Sequence, residues 1–261
     1  MILIGERINA GFDPVAQALK DRNAENIRDL ARKQEEAGAD YLDINMGAIS
    51  KDPDDMVWLV KTVQEAVDIG ISIDSQKPEI VEPALQVCEN DSLINSTTAV
   101  EEKLDGLVPL AVDYDASIIG VTSGEGGAPQ DVNGRLEHAA TIFSRATGAG
   151  IPPGNLFLDP VAMPLKFMQE QASNLLKSIH QISNISDPPP HISLGISNIS
   201  SDATERSLIN RTFLVMAMAV GLDAAICDVT DPKLVESVAT AEMILNNEIY
   251  SDSFVETYRM A

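Results

Sequence analysis

Residues 24–46 read AENIRDLARKQEEAGADYLDINM, and this stretch holds one complete transition from a helix to a strand. Apolar residues recur at helical spacing from Ala24 to Ala37, and Gly38 follows as a stop signal. The run from Asp40 to Met46 is short and largely apolar, which is typical of a buried strand. Because the same alternation recurs along the chain, the sequence predicts βα units around a parallel sheet that is covered on both faces.

The pattern contains eight short apolar runs and eight longer amphipathic segments. The predicted strands are Ile2–Ile8, Asp40–Met46, Gly70–Asp74, Ser92–Asn95, Ser117–Thr122, Asn155–Asp159, His191–Gly195 and Ala224–Asp228. The predicted helices are Ala24–Ala37, Asp54–Val67, Pro78–Cys88, Lys103–Tyr114, Asn133–Thr147, Met168–Ile182, Ile209–Gly221 and Pro232–Leu245. Eight such units in 261 residues predict an α/β fold with a single (β/α)8 TIM barrel as one domain over 1–261. An open doubly wound sheet is the alternative.

The charge and cysteine content exclude several classes of partner. The chain has 18 basic and 40 acidic residues, a formal net charge of −22 that would repel nucleic-acid phosphates and anionic lipid headgroups. No run reaches the roughly 18 apolar residues of a membrane span, and no signal peptide is expected. Cys88 and Cys227 form no CxxC pair, so we expect a reducing cytoplasm rather than a disulfide framework.

Polar side chains stand at or just beyond the predicted strand ends, where barrel enzymes carry their active sites. They are Glu6, Asn9, Asp43, Asn45, Asp74, Asn95, Thr122, Ser123, Asp159, Ser197, Asn198 and Asp228. For any one of them alone, a turn or a helix cap is the simpler explanation. Together, a ring of carboxylates and amides indicates recognition of a neutral heterocycle with amide-like N–H and C=O groups.

Other chemistries find less support in the sequence. The three histidines, His138, His180 and His191, form no HxxxH pair and lie away from the strand ends, which disfavours zinc and a Ser-His-Asp hydrolase. The residues 124–127, GEGG, lack the Lys-Ser/Thr of a phosphate loop. Mg²⁺ or Ca²⁺ among the carboxylates, as in a metal-dependent aldolase or hydrolase, remains an alternative, but we expect no tightly bound metal.

Several segments carry a family resemblance in their order and spacing. They are MILIGERIN (1–9), ADYLDINMG (39–47), IDS (73–75), INST (94–97), LDP (158–160), LGISNI (194–199), LINRTF (208–213) and DSFV (252–255). Together they resemble the methyltetrahydrofolate:corrinoid protein methyltransferases over the whole chain.

The resemblance implies a pterin-binding barrel that moves a methyl group between N5 of tetrahydrofolate and the cobalt of a corrinoid (cobalamin). It implies 5-methyltetrahydrofolate or tetrahydrofolate as the folate substrate, and a homodimer. It also implies that Asp74, Asn95 and Asp159 hold the pterin, and that Asn9, Gly195 and Ser197 add contacts. By the same resemblance, Asn198 lies near N5 and stabilises the transition state. Glu6, Asp43, Asn45 and Asp228 are further candidates from their places at the strand ends.

The corrinoid is expected on a partner carrier protein, because the chain contains no DxHxxG motif. The chain departs from relatives of the acetyl-CoA pathway at residues 123–126 and 200–202. These departures favour the methylcorrinoid-to-tetrahydrofolate direction in methylotrophic metabolism. The alternatives are transfer from methyltetrahydrofolate to a corrinoid iron-sulfur protein, a dihydropteroate-synthase-like enzyme, and a non-catalytic pterin-binding module.

Overall fold

The computed structural model describes residues 1–250, and eight parallel strands close into a barrel in chain order. The strands are β1 (Ile2–Asn9), β2 (Tyr41–Asn45), β3 (Gly70–Asp74), β4 (Ser92–Thr98), β5 (Ser117–Val121), β6 (Leu156–Asp159), β7 (His191–Gly195) and β8 (Ala224–Cys227). β1 pairs with β8, and this closure confirms the TIM barrel and rules out the open sheet. The segment DSFV lies outside the described residues.

Nine α-helices are formed within residues 1–250. They are α1 (Asp13–Lys20), α2 (Ala24–Glu36), α3 (Pro53–Gln64), α4 (Pro78–Leu85), α5 (Glu101–Asp113), α6 (Val132–Gly148), α7 (Gln169–Ile182), α8 (Arg206–Met218) and α9 (Pro232–Ile244). None of these helices is long and apolar enough to cross a membrane.

Helix α1 was not among the predicted helices. It has only eight residues, contains Pro14 in its first turn, and buries Val15, Ala18 and Leu19. Such a short helix gives a weak periodic signal, and packing against α2 and β1 supplies the support that an isolated helix of this length lacks. The predicted start of α8 at Ile209 was also late, because the helix begins at Arg206.

The apolar residues form two layers. A large one lies between the sheet and the surrounding helices. A small one, composed of Ile4, Leu93, Ile119, Phe157 and Ala224, fills the inside of the barrel. Because side chains alternate across a strand, the residue two positions after each of these also faces the barrel interior, one layer nearer the carboxyl ends.

Candidate functional site

A polar layer lies directly above the apolar layer inside the barrel. Several of its members follow an inward apolar residue by two positions: Glu6 after Ile4, Asp43 after Tyr41, Asn95 after Leu93, Asp159 after Phe157, and Asp228 after Ile226. In β2 and β3 the polar face continues to Asn45 and Asp74. The alternation of the strands therefore brings most of the predicted site residues to one end of the barrel.

Asp43 is the most deeply buried acid of this layer, with 2% of its surface exposed. Its Oδ1 accepts hydrogen bonds from the Ser72 hydroxyl at 2.6 Å and from Asn95 Nδ2 at 2.9 Å. Burial, with the nearby Asp74, raises the pKa of Asp43 to about 8. Asp43 consequently orients Asn95, whose carbonyl oxygen is left to accept from a ligand. Ser72 was not predicted, although a serine inside the apolar run GISID is a visible signal.

Asn45 and Asp74 form the adjacent pair, with Asn45 Nδ2 donating to Asp74 Oδ2. Burial raises the pKa of Asp74, and the Asn45 bond opposes this rise. A small cavity of about 140 Å³ opens beside the pair, with Ser75 and Met56 in its lining. Asp74 keeps a second oxygen free of Asn45, so it can accept a hydrogen bond from a ligand.

Asp159 ends β6 and is held by backbone N–H groups. Its Oδ1 accepts from the Val161 N–H at 2.7 Å, and the Gly195 N–H also donates to its carboxylate. Burial raises the pKa of Asp159 to about 6, while the two N–H groups oppose that rise. Val161 adopts a positive φ of 66°, which is costly for a β-branched residue. The carboxylate is therefore fixed by the turn itself and faces the mouth of the barrel.

The candidate catalytic residue Asn198 stands on a 3₁₀ turn, Ile196–Asn198, that directly follows β7. Asn198 is exposed at the mouth. A β-carbon on residue 195 would lie 2.8 Å from Asn198 Nδ2, so the amide packs where only glycine leaves room. This contact gives Gly195 a steric role in addition to its N–H bond with Asp159.

Glu6 lies on β1, next to β2 around the barrel, and Asp228 directly follows β8 on the other side of β1. Glu6 Oε1 accepts from the Ser197 hydroxyl at 2.5 Å, and burial raises the pKa of Glu6. Asp228 Oδ2 lies 3.4 Å from Arg7 Nη1. The strand-end prediction contained only carboxylates, amides and hydroxyls, so it missed Arg7, which follows Glu6 directly, and Arg206 at the start of α8.

A cavity of about 410 Å³ lies on this side of the mouth, between the ends of β1, β7 and β8. Its lining includes Glu6, Asn9, Phe12, Ser197, Arg206 and Asp228. The Asn9 side chain accepts from the Gly11 N–H at 2.8 Å, which leaves its amide nitrogen for a ligand. Asn9 is the last residue of β1, is in register with Asn45 of β2, and borders the site from there.

Comparisons with known proteins match this architecture. The family model for pterin binding enzymes matches residues 5–228. A methylcorrinoid:tetrahydrofolate methyltransferase from Eubacterium limosum is 30% identical over 262 residues, covering 99% of this chain and 96% of the relative. Dihydropteroate synthase structures share the fold. The Stenotrophomonas maltophilia enzyme has a TM-score of 0.70 at 17% identity, covering 96% of this chain and 94% of its own. The Thermus thermophilus enzyme has a TM-score of 0.67 at 20% identity, covering 95% and 94%.

Proposed function

This chain belongs to the pterin-binding enzymes, and on that premise we propose that it transfers a methyl group between N5 of tetrahydrofolate and the cobalt of a corrinoid. The whole chain, 1–261, would act as one pterin-binding barrel domain. The observation that carries the proposal is the hydrogen-bonded row of acids and amides, Asp43–Asn95 and Asn45–Asp74, that continues to Asp159 at the barrel mouth.

The free acceptor atoms of this row suit the donor-rich edge of a pterin. The 2-amino and N3–H groups of a pterin can donate in parallel to one carboxylate, and Asp159 or Asp74 would take them. Asn95 Nδ2 already donates a hydrogen bond to Asp43, so the Asn95 carbonyl oxygen would accept a hydrogen bond from a further N–H of the ring. Ionised Asp159 binds these donors more strongly than a neutral acid would, and this favours binding above the raised pKa of Asp159, about 6.

Asn198 is proposed to serve the reacting nitrogen. In the direction from methylcorrinoid to tetrahydrofolate, the N5 lone pair forms the new N–CH₃ bond while the Co–C bond pair stays on cobalt as Co(I). The N5 proton is then released. The Asn198 amide can accept from N5–H before transfer and donate to the N5 lone pair afterwards, so it serves both directions. A strong fixed acid would favour only one of them.

The corrinoid is proposed to arrive on a partner carrier protein that docks over the barrel mouth. The name of the Eubacterium limosum relative reads from methylcorrinoid to tetrahydrofolate, which supports that direction here. The alternative direction, from methyltetrahydrofolate to a corrinoid iron-sulfur protein, uses the same site with the proton moving the other way.

We also propose a homodimer located in the cytoplasm. Leu208 and Met216 on α8 are 55% and 50% exposed, and they border an apolar groove of about 490 Å³ between α7 and α8. In a dimer with a two-fold axis, the exposed Leu208 and Met216 of one protomer can pack into this groove of the other. Both Cys88 and Cys227 are unpaired, which fits a reducing compartment.

The test is methyl transfer with free cobalamin under anaerobic conditions. Purified protein is mixed with 5-methyltetrahydrofolate and cob(I)alamin, or with tetrahydrofolate and methylcobalamin, and the cobalamin spectrum is followed. Asn198→Ala should lower kcat about 10²-fold or more, as loss of one transition-state hydrogen bond does. Asn184→Ala serves as the matched control, because Asn184 is exposed between α7 and β7, away from the strand ends.

Three results would reject parts of the proposal. Absence of pterin binding would remove the pterin assignment. Pterin binding with release of pyrophosphate from a pterin pyrophosphate, and no methyl transfer, would favour a dihydropteroate-synthase-like enzyme. Pterin binding without transfer to free cobalamin or to candidate carriers would indicate a non-catalytic module.

A further inference from the structure

The turn that carries Asn198 is tied to a distant strand by one side-chain bond. Ser197 Oγ donates to Glu6 Oε1 at 2.5 Å, and the two residues are 191 positions apart in the chain. Glu6 lies on β1, next to a register shift between Gly5 and Ile8 in the pairing of β1 with β2. Gln34 from α2 fills this bulge, since its Oε1 accepts from the Arg7 N–H at 2.9 Å. The backbone that presents Glu6 is therefore itself anchored.

The same turn is held from the other side by α8. Arg206 Nη2 donates to the Ser197 carbonyl at 3.2 Å, and Arg206 Nε donates to the Ser200 hydroxyl at 3.2 Å. The Ser200 hydroxyl in turn donates to the Ser197 carbonyl at 3.2 Å. Ser197 is thus restrained at both its side chain and its carbonyl, while the exposed Asn198 side chain follows the backbone that these bonds fix.

We infer that Glu6 is a positioning residue, which sets the direction of the Asn198 amide by holding the preceding residue, Ser197, through its hydroxyl. This inference rests on the proposed function, in which Asn198 meets N5 of the folate. Without the Glu6 bond, the Ser197 side chain is free to rotate, and the turn keeps its restraints at the Ser197 carbonyl from Arg206 and the Ser200 hydroxyl. The Asn198 amide would then spend less time in the direction needed for transfer.

The chemistry of the bond distinguishes positioning from proton transfer. The charged groups near Glu6 are Asp228, Arg7, Arg206 and, on the neighbouring strand, Asp43, and burial raises the pKa of the Glu6 carboxyl. Glu6 Oε1 can accept from Ser197 whether the carboxyl is ionised or protonated. The carboxamide of glutamine offers the same acceptor oxygen and carries no titrating proton, so Glu6→Gln should preserve positioning and abolish any acid role.

The experiment measures kcat, KM and pterin Kd for Glu6→Ala, Glu6→Gln and Ser197→Ala, with and without Asn198→Ala. We expect Glu6→Ala and Ser197→Ala each to lower kcat about tenfold, and we expect Glu6→Ala to leave the pterin Kd within twofold, since positioning acts on the transition state. Glu6→Gln should stay within threefold of the wild type from pH 5 to 8. In the Asn198→Ala background, Glu6→Ala should cause no further loss.

Other outcomes would overturn the inference. A further tenfold loss in the Asn198→Ala background would show that Glu6 acts independently. A large loss in Glu6→Gln together with the loss of one limb of the pH profile would assign Glu6 as a proton donor. A weakened pterin Kd would make Glu6 a pterin contact. Glu36→Ala, an exposed glutamate at the end of α2, is the matched control. If Glu6→Ala does not fold, the Ser197→Ala variant decides the same question.

A second readout separates this inference from the proposed function. The side-chain amide NMR signals of Asn198, identified by their loss in Asn198→Ala, should shift or broaden in Ser197→Ala and Glu6→Ala without any substrate. An unchanged signal in both variants would refute positioning even if the enzyme transfers methyl groups. A shifted signal in a protein that transfers no methyl group would keep the structural link and reject the proposed reaction.

Discussion

Substituting Gly195 by alanine should separate the stability of this protein from its activity. Gly195 has φ −73° and ψ 93°, a conformation that alanine adopts without strain. The new β-carbon would lie 2.8 Å from Asn198 Nδ2, whereas ordinary contacts begin near 3.4 Å. The neighbour that must move is the end of an exposed side chain, so the Asn198 amide can swing toward solvent while the barrel stays intact.

The expected effects of Gly195→Ala on stability and on activity have opposite signs. Replacing glycine by alanine at a compatible position stabilises the fold by about 0.4–1 kcal/mol, because the unfolded chain loses conformational freedom. We therefore expect the free energy of unfolding to stay constant or to rise by up to about 1 kcal/mol. Displacing the amide removes its hydrogen bond to N5, and kcat should fall about 10²-fold, which corresponds to roughly 2.7 kcal/mol of transition-state stabilisation.

Urea unfolding followed by the fluorescence of Trp58, the single tryptophan, measures the first quantity. Methyl transfer to or from cobalamin measures the second. Gly195→Ala combined with Asn198→Ala should be no less active than Asn198→Ala alone, because both changes remove the same interaction. A Gly195→Ala variant that keeps kcat within threefold of the wild type would refute this steric role of Gly195. A double variant far below Asn198→Ala would refute it too, since the β-carbon would then act on the pterin directly.

Three further predictions follow from the described contacts. The folded-state pKa of Asp43, about 8, lies above the ordinary value of 3.8, so the free energy of unfolding should fall as the pH rises from about 4 to 8. Urea titrations at pH 4 and pH 8 should show a smaller fall for Asp43→Asn than for the wild type. An equal fall in the two proteins would contradict this assignment. Asp159→Asn should raise the pterin Kd about 10- to 100-fold in equilibrium titrations, because a hydrogen bond to a charged group contributes about 1.5–3 kcal/mol, and unchanged affinity would remove Asp159 from the site. Met216→Glu places a charge at the edge of the apolar groove and should convert the proposed dimer to monomer in sedimentation equilibrium, whereas a dimer that persists would place the interface elsewhere.

The sequence by itself predicted the barrel and most of its polar layer. A short apolar run is a local property, so the runs around Asp43, Asp74 and Asp159 already placed these acids at strand ends. Two strands, Gly70–Asp74 and His191–Gly195, were predicted with their observed bounds. The short helix α1 was missed because its support comes from tertiary packing.

Only the tertiary structure decided which of these side chains act together. Asp43 meets Ser72 because β2 and β3 align in register, and Asn95 reaches Asp43 from β4, one strand further on. Glu6 meets Ser197 because the barrel closes so that β1 and β7 both flank β8. These partners are 29 to 191 positions apart in the chain, and no local sequence pattern indicates that they pair. The pKa values depend on the same closure, because burial and the proximity of other charges arise only when separate strands share one interior.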